Sequence, residues 1–145
     1  MANKKPTTGR PPLFKSTEEL DIKIQGYFDS CDPHISTRLA VIELPDKSEV
    51  IANVEYMTEQ LPYTVSGLAR SLRTSRRTLL NYQNKNEDFF HTLTRAKQKI
   101  EGFWEMALFE PGKAQGAIFT LRNNWGWSKK VESVSVDLDA LYPQA

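Results

Sequence analysis

Five cations stand between Thr64 and Lys85, at Arg70, Arg73, Arg76, Arg77 and Lys85, with no carboxylate among them. Guanidinium groups bind phosphate oxygens and, in a major groove, pair with guanine; the amide of Asn81, in the same stretch, pairs with adenine. A patch of one sign, flanked by segments of mixed charge, is the electrostatic footprint of a phosphate-backbone ligand. The bland alternative is a solvated helical face, on which the two signs usually mix.

Two helices must position these side chains. Val65, Leu68, Ala69 and Leu72 fall at the spacing of one apolar helical face, and Leu79 with Tyr82 continues an apolar face after a break at Arg73-Thr74-Ser75. Ser75 is suited to be an N-cap, so a second helix is predicted from Arg76. Helix, tight turn and helix together form a helix-turn-helix, whose second helix enters a DNA major groove. On that reading Arg76, Arg77 and Asn81 face base edges, Arg70, Arg73, Ser75 and Thr78 face phosphates, and Lys85 closes the basic stretch. The turn position commonly filled by glycine is Arg73, which is unfavourable if that residue must take a positive φ.

Catalytic chemistry has little to work with. No glycine-rich phosphate loop with its lysine is present, so an ATP-hydrolysing motor is not encoded, and no cofactor or metal is expected. Cys31-Asp32-Pro33-His34 gathers a thiol, a carboxylate and an imidazole, but no other cluster supplies partners for them, and turn residues are the favoured reading. No catalytic residue is assigned. The single cysteine excludes an internal disulfide and agrees with a reducing compartment. No apolar run approaches the roughly 20 residues that cross a bilayer, and the polar start resembles no signal peptide, so no membrane partner and a cytoplasmic setting are expected. The chain has 145 residues, 39% of them hydrophobic, enough for one compact domain or two small ones.

Around the basic stretch the chain reads as follows. Residues 1–15, with four prolines or glycines and four cations, form a flexible basic arm. Ser16-Thr17-Glu18-Glu19 gives a capping-box pattern before the apolar stripe Leu20, Ile24, Tyr27, Phe28 and Cys31, a first amphipathic helix. Leu39 to Leu44 and Val50 to Val54 are β-branched runs around a turn, a hairpin; helix competes over Asn53 to Gln60. A lone hairpin is marginal unless it packs or pairs with another copy, which makes it a candidate interface element.

After a polar break at Asn84 to Asn86, a long helix is predicted from Glu87, with Phe89, Leu93, Ala96, Ile100, Phe103 and Ala107 on a heptad seam and Phe90 and Trp104 beside it. This seam is either intramolecular support for the DNA-binding helices or a self-association face; Phe89, Leu93, Ile100, Phe103 and Trp104 are the candidate oligomerisation residues. A shorter helix over Lys113 to Asn123 ends at Asn124-Trp125-Gly126-Trp127, and Val131 to Leu141 alternates as a short acidic strand.

The helix-turn-helix, the long helix after it and the closing run Gly116 to Lys129 (GAIFTLRNNWGWSK) resemble the small subunits of tailed-phage terminases. The opening Gly9-Arg10-Pro11-Pro12-Leu13-Phe14 and the β-rich insert are similar to one branch of that family. The resemblance implies a ring-shaped homo-oligomer without catalytic activity, which recognises double-stranded viral DNA at the packaging-initiation site. It also implies delivery of that DNA to a terminase large subunit whose ATPase and nuclease it modulates. Members differ in whether a helix-turn-helix, a basic tail or the ring channel holds DNA; the acidic tail here favours the helix-turn-helix. A dimeric helix-turn-helix transcriptional regulator fits the same basic stretch, and a protein-interaction module is a third reading.

The fold expected is mainly α: a helix-turn-helix DNA-binding domain with a β-hairpin insert, a long oligomerisation helix and a short C-terminal strand. Its divisions are an arm over 1–15, the DNA-binding domain over 16–86, a helical oligomerisation region over 87–127 and a tail over 128–145.

Overall fold

The computed structural model describes residues 13–128; the expected strand over 131–141 and most of the basic arm lie outside them. Helix α1 (Thr17–Cys31) starts under Ser16, whose Oγ accepts the Glu19 amide at 3.1 Å. The reciprocal bond of the capping box goes one residue further back, from the Lys15 amide to the Glu19 carboxylate at 2.9 Å. Lys23, one turn on, pairs with Glu19 at 2.8 Å, and these contacts, Lys23 first, hold the Glu19 carboxyl below its usual value. All five residues of the expected stripe are buried.

Strands β1 (Ile35–Glu43) and β2 (Glu49–Met57) pair antiparallel, with Ile35 opposite Met57 and Glu43 opposite Glu49. The hairpin is thus longer than the β-branched runs alone indicate, and the competing helix over Asn53 to Gln60 does not form. Its turn is built as the sequence allows: Pro45 and Asp46 occupy the central positions, the Lys47 amide donates to the Leu44 carbonyl at 2.8 Å, and Lys47 takes φ 65°.

Four more helices follow: α2 (Val65–Ser71), α3 (Arg76–Lys85), α4 (Glu87–Ala107) and α5 (Ala114–Trp125). Glu87 and Asp88 lie in the first turn of α4, where negative charge suits the helix dipole. Gly126, at φ 67°, closes α5 in the left-handed conformation expected there.

The chain forms two compact units, and the boundary falls inside α4, between Phe103 and Trp104. Most of α4 thus belongs to the same compact unit as the elements before it, whereas the expected division at 86/87 separates regions by role. Phe14, Leu20, Leu68, Leu79, Leu93 and Ile100 are almost wholly buried in the first unit. Phe14 corrects the expected arm. Its ring meets Tyr82 edge-on at 5.6 Å and Phe89 at 6.2 Å, so ordered chain begins before residue 16. In the second unit Ala107, Ala117 and Leu121 are buried, beside an open recess of about 280 Å³ lined by Leu108, Ile118, Leu121, Arg122, Trp127 and Ser128.

Candidate nucleic-acid interface

The basic stretch folds as α2, a short turn and α3. Thr64 caps α2 by accepting the Gly67 amide at 2.9 Å, and is itself held by the Tyr27 phenol on α1. At the far end, the Thr74 amide reaches back to the Ala69 carbonyl at 2.9 Å, and the Arg73 amide to the Arg70 carbonyl at 2.9 Å. This pair of bonds is the Schellman motif, in which the residue at the position of Arg73 takes a left-handed conformation. Arg73 does so, at φ 56°, so the side chain expected to be awkward in this turn is held in the conformation that glycine prefers.

Helix α3 begins under Ser75, whose Oγ accepts the Thr78 amide at 3.1 Å. Its first turn carries Arg76 and Arg77 and no acid, although cations are disfavoured at a helix N-terminus. Inward it presents Leu79 and Gln83. Gln83 Nε2 donates to Thr94 Oγ1 at 2.9 Å, and Lys97 Nζ reaches Gln83 Oε1 at 3.5 Å, so two polar contacts to α4 fix the roll of α3. Tyr82 stacks on Phe89, centroids 5.2 Å apart.

With its roll fixed, and about 100° per residue, α3 turns Arg77, Asn81 and Asn84 outward, with Thr78 and Lys85 on the flank; all five are exposed. Thr78, Asn81 and Lys85 come together with Tyr82 and Asn86 around one shallow recess. Arg70, Arg73 and Ser75 are exposed as well. Arg76 is half-buried on the side nearer the core, outside the row that the sequence alone assigns it with Arg77 and Asn81. Asn84 belongs to α3 and to this row, not to the polar break between helices. Its signal is present in the sequence, three residues after Asn81 and seven after Arg77, the repeat of one helical face.

The heptad seam of α4, read as intramolecular support or as a self-association face, is largely buried within the single chain. Phe89, Leu93 and Ile100 are at most 6% exposed within the single chain, so another copy cannot reach them without opening the fold. Phe103 is half-buried, its ring 4.8 Å from that of Tyr63. Trp104 is half-buried and belongs to the second unit.

Residues 9–134 match the family model of DNA-packaging protein gp3. The chain belongs to that family. The membership bears out the resemblance to phage terminase small subunits and makes DNA packaging the process this protein serves. No curated protein matches the chain. Among the described residues, no helix is long and apolar enough to cross a membrane.

In this packaging protein the Cys31 to His34 cluster does structural work at the base of the hairpin. Tyr63 donates a short hydrogen bond to Asp32 Oδ1, and Gln60 Nε2 donates to the same atom at 3.2 Å. The Tyr63 bond, first among the causes, keeps the Asp32 carboxyl below its ordinary value; burial first, and then Asp32, pushes the Tyr63 phenol up to about 12. His34 Nδ1 lies 2.8 Å from the Asp32 carbonyl and 3.1 Å from Thr58 Oγ1, and the His34 amide donates to Thr58 Oγ1 at 2.9 Å. The hairpin so anchored is bare along its length. On one face Ile35, Leu39, Val41, Ile51 and Met57 are 61 to 73% exposed. On the other, Arg38 covers the Tyr56 ring at 5.2 Å.

Proposed function

We propose that this packaging protein is a terminase small subunit that recognises viral DNA at the packaging-initiation site through the outward face of α3. It assembles as a ring-shaped homo-oligomer, delivers the DNA to the large subunit and modulates the ATPase and nuclease carried there. The observation that carries the reading is the acid-free outward row of Arg77, Asn81 and Asn84, flanked by Thr78 and Lys85, in a chain of a DNA-packaging family. Arginine and the side-chain amides supply major-groove readout, and the remaining polar groups supply phosphate contacts.

The hairpin supports the homo-oligomer. Its barer face leaves Ile35, Leu39, Val41, Ile51 and Met57 61 to 73% exposed, large apolar side chains gathered as at a protein interaction surface. A second copy of the chain is the occupant proposed: in a closed ring the hairpin face of each subunit meets a different surface of its neighbour, and the ring brings many α3 faces to one DNA. Individually weak contacts then add through multivalent presentation. Native mass measurement of the full chain, with and without double-stranded DNA, tests the reading. A complex of many subunits that takes up DNA is expected. A dimer on a palindromic site would instead mark a transcriptional regulator, and absence of DNA uptake at low salt would remove DNA recognition from this protein.

A further inference from the structure

Among the described residues only Lys47 and Arg73 take a positive φ without being glycine. Lys47 stands at the tip of the hairpin. Arg73 stands between the two helices of the basic stretch, where the Schellman bonds from Arg73 and Thr74 leave its backbone no other conformation. For an L-residue with a Cβ, the left-handed region is disfavoured relative to glycine. Glycine would satisfy every backbone bond in this turn. What glycine lacks is the side chain, which here is exposed, cationic and within a stretch free of acids. Among the described residues its guanidinium has no ion pair, since the two salt bridges there join Lys23 to Glu19 and Lys113 to Glu110. Among those residues, then, no ion pair of this side chain offsets the strained backbone.

We infer that Arg73 is a DNA-backbone contact whose conformational strain is borne by the free protein, so that folding stability and DNA affinity oppose each other at this residue. The inference rests on the DNA-binding reading above and sharpens it: the ligand group is a phosphate oxygen, and the turn, rather than a helix face, presents the cation. The Arg73 side chain is exposed at the turn, and a phosphate there needs no sequence-specific partner. The contact strengthens binding to any duplex and reads no base.

The experiment compares the full-length wild type with Arg73→Gly, Arg73→Asn and Arg73→Lys, measuring Tm and affinity for a short double-stranded oligonucleotide over a series of salt concentrations. Asparagine is a second variant that tolerates the left-handed region. Gly and Asn are expected to raise Tm while weakening DNA binding several-fold, and to lower the slope of log affinity against log salt by about one, the signature of one phosphate no longer neutralised. Lys is expected to keep the slope. A rise in Tm with an unchanged slope overturns the inference, as does a loss of slope with no rise in Tm. Arg77→Ala separates the role of Arg73 from that of the whole face. If it weakens binding and the Arg73 variants do not, the role of Arg73 fails alone; if none of them weakens binding, the DNA-binding reading of this face fails with it.

Discussion

The phenol of Tyr27 engages both backbone groups of Thr64, donating to its carbonyl at 3.1 Å and accepting its amide at 2.9 Å. One hydroxyl thereby docks the start of α2 onto α1. The Thr64 carbonyl also accepts the Leu68 amide, so the group that depends on Tyr27 alone is the Thr64 N–H. Tyr27→Phe is expected to destabilise the protein by about 1 kcal/mol, the low end of the range for a donor left without its partner, since the Thr64 N–H is part-buried. The same contact explains Gly67. A Cβ there would lie 2.7 Å from Tyr27 Oη and 2.8 Å from Thr64 Oγ1, and both atoms are held by hydrogen bonds. Gly67→Ala should therefore lower stability despite alanine's better helix propensity, and should do so less in a Tyr27→Phe background. Additive losses in chemical denaturation of the two single variants and the double would contradict this coupling.

The pair Asp32 and Tyr63 predicts how stability changes at both ends of the pH scale. Asp32 is held below its ordinary value, mainly by the Tyr63 hydrogen bond. Its contribution is thus present above the unfolded carboxylate value, roughly 4, and lost as pH falls through the lower folded value. Tyr63 is raised to about 12, by burial first and Asp32 second. Its contribution is present below the unfolded phenol value, roughly 10, and lost as pH rises towards the folded one. In thermal melts across pH, Tyr63→Phe should reduce the loss on the alkaline side, where the Tyr27 phenol, also raised by burial, still contributes, and should make the acid side shallower. Asp32→Asn should reduce the acid-side loss, to which the lowered Glu19 and Asp46 carboxyls also contribute, while leaving much of the alkaline one, since burial of Tyr63 remains.

How far the sequence led depends on which physical signal each element carried. The capped starts at Ser16 and Ser75, the stripe from Leu20 to Cys31 and the left-handed Gly126 were legible because each is local chemistry acting over a turn or two of chain. The hairpin ends were not, because Ser36, Thr37, Glu55 and Tyr56 extend the strands without the β-branched apolar run that flagged their centres. Phe14 was hidden by the prolines before it, although its burial against Tyr82 and Phe89 is a tertiary contact that composition cannot show. The α4 seam was legible as apolar but not as intramolecular, since spacing identifies a face and not its partner. At the candidate site, the outward direction of Arg77 and Asn81 could be read from helical spacing. Asn84 lay at the same spacing once the helix was carried past Gln83, but the half-buried side of Arg76 could not be read, because the roll of α3 is set by Gln83 and its contacts to Thr94 and Lys97, eleven and fourteen residues away in the chain.

That roll gives an ordering among single substitutions on α3. Arg77→Ala should weaken DNA binding more than Arg76→Ala, because Arg77 is exposed on the outward face and Arg76 is half-buried on the core side. Asn81→Ala and Asn84→Ala should relax base preference, by about 1–3 kcal/mol for each bidentate pairing with adenine that is removed, while leaving the salt dependence of binding nearly unchanged. Lys85→Ala should do the reverse. Binding-site selection from a random duplex pool, followed by salt titrations on the selected site, measures both quantities. Equal effects of Arg76→Ala and Arg77→Ala would show that the outward face is not the one that meets DNA.

The hairpin and the α4 seam make opposite predictions about self-association. Leu39 and Ile51 are 71 and 73% exposed on the same face of the hairpin, so glutamate at both should leave the chain folded; surface substitutions typically change stability by less than about 0.5 kcal/mol. If that face joins copies of the chain, the two added carboxylates enter each subunit contact and must be desolvated or repel, and the complex should fall to smaller species in native mass measurement. Leu93, by contrast, is 1% exposed, and Leu93→Ala removes core packing within one chain at a cost of about 2–5 kcal/mol. Its effect should appear first as a lower Tm, with subunit number unchanged at temperatures where the fold persists. The reverse outcome, a Leu39→Glu/Ile51→Glu variant of wild-type mass beside a folded but dissociated Leu93→Ala, would return the interface to α4. It would also mean that α4 rearranges on assembly, because Leu93 is sealed in the single chain.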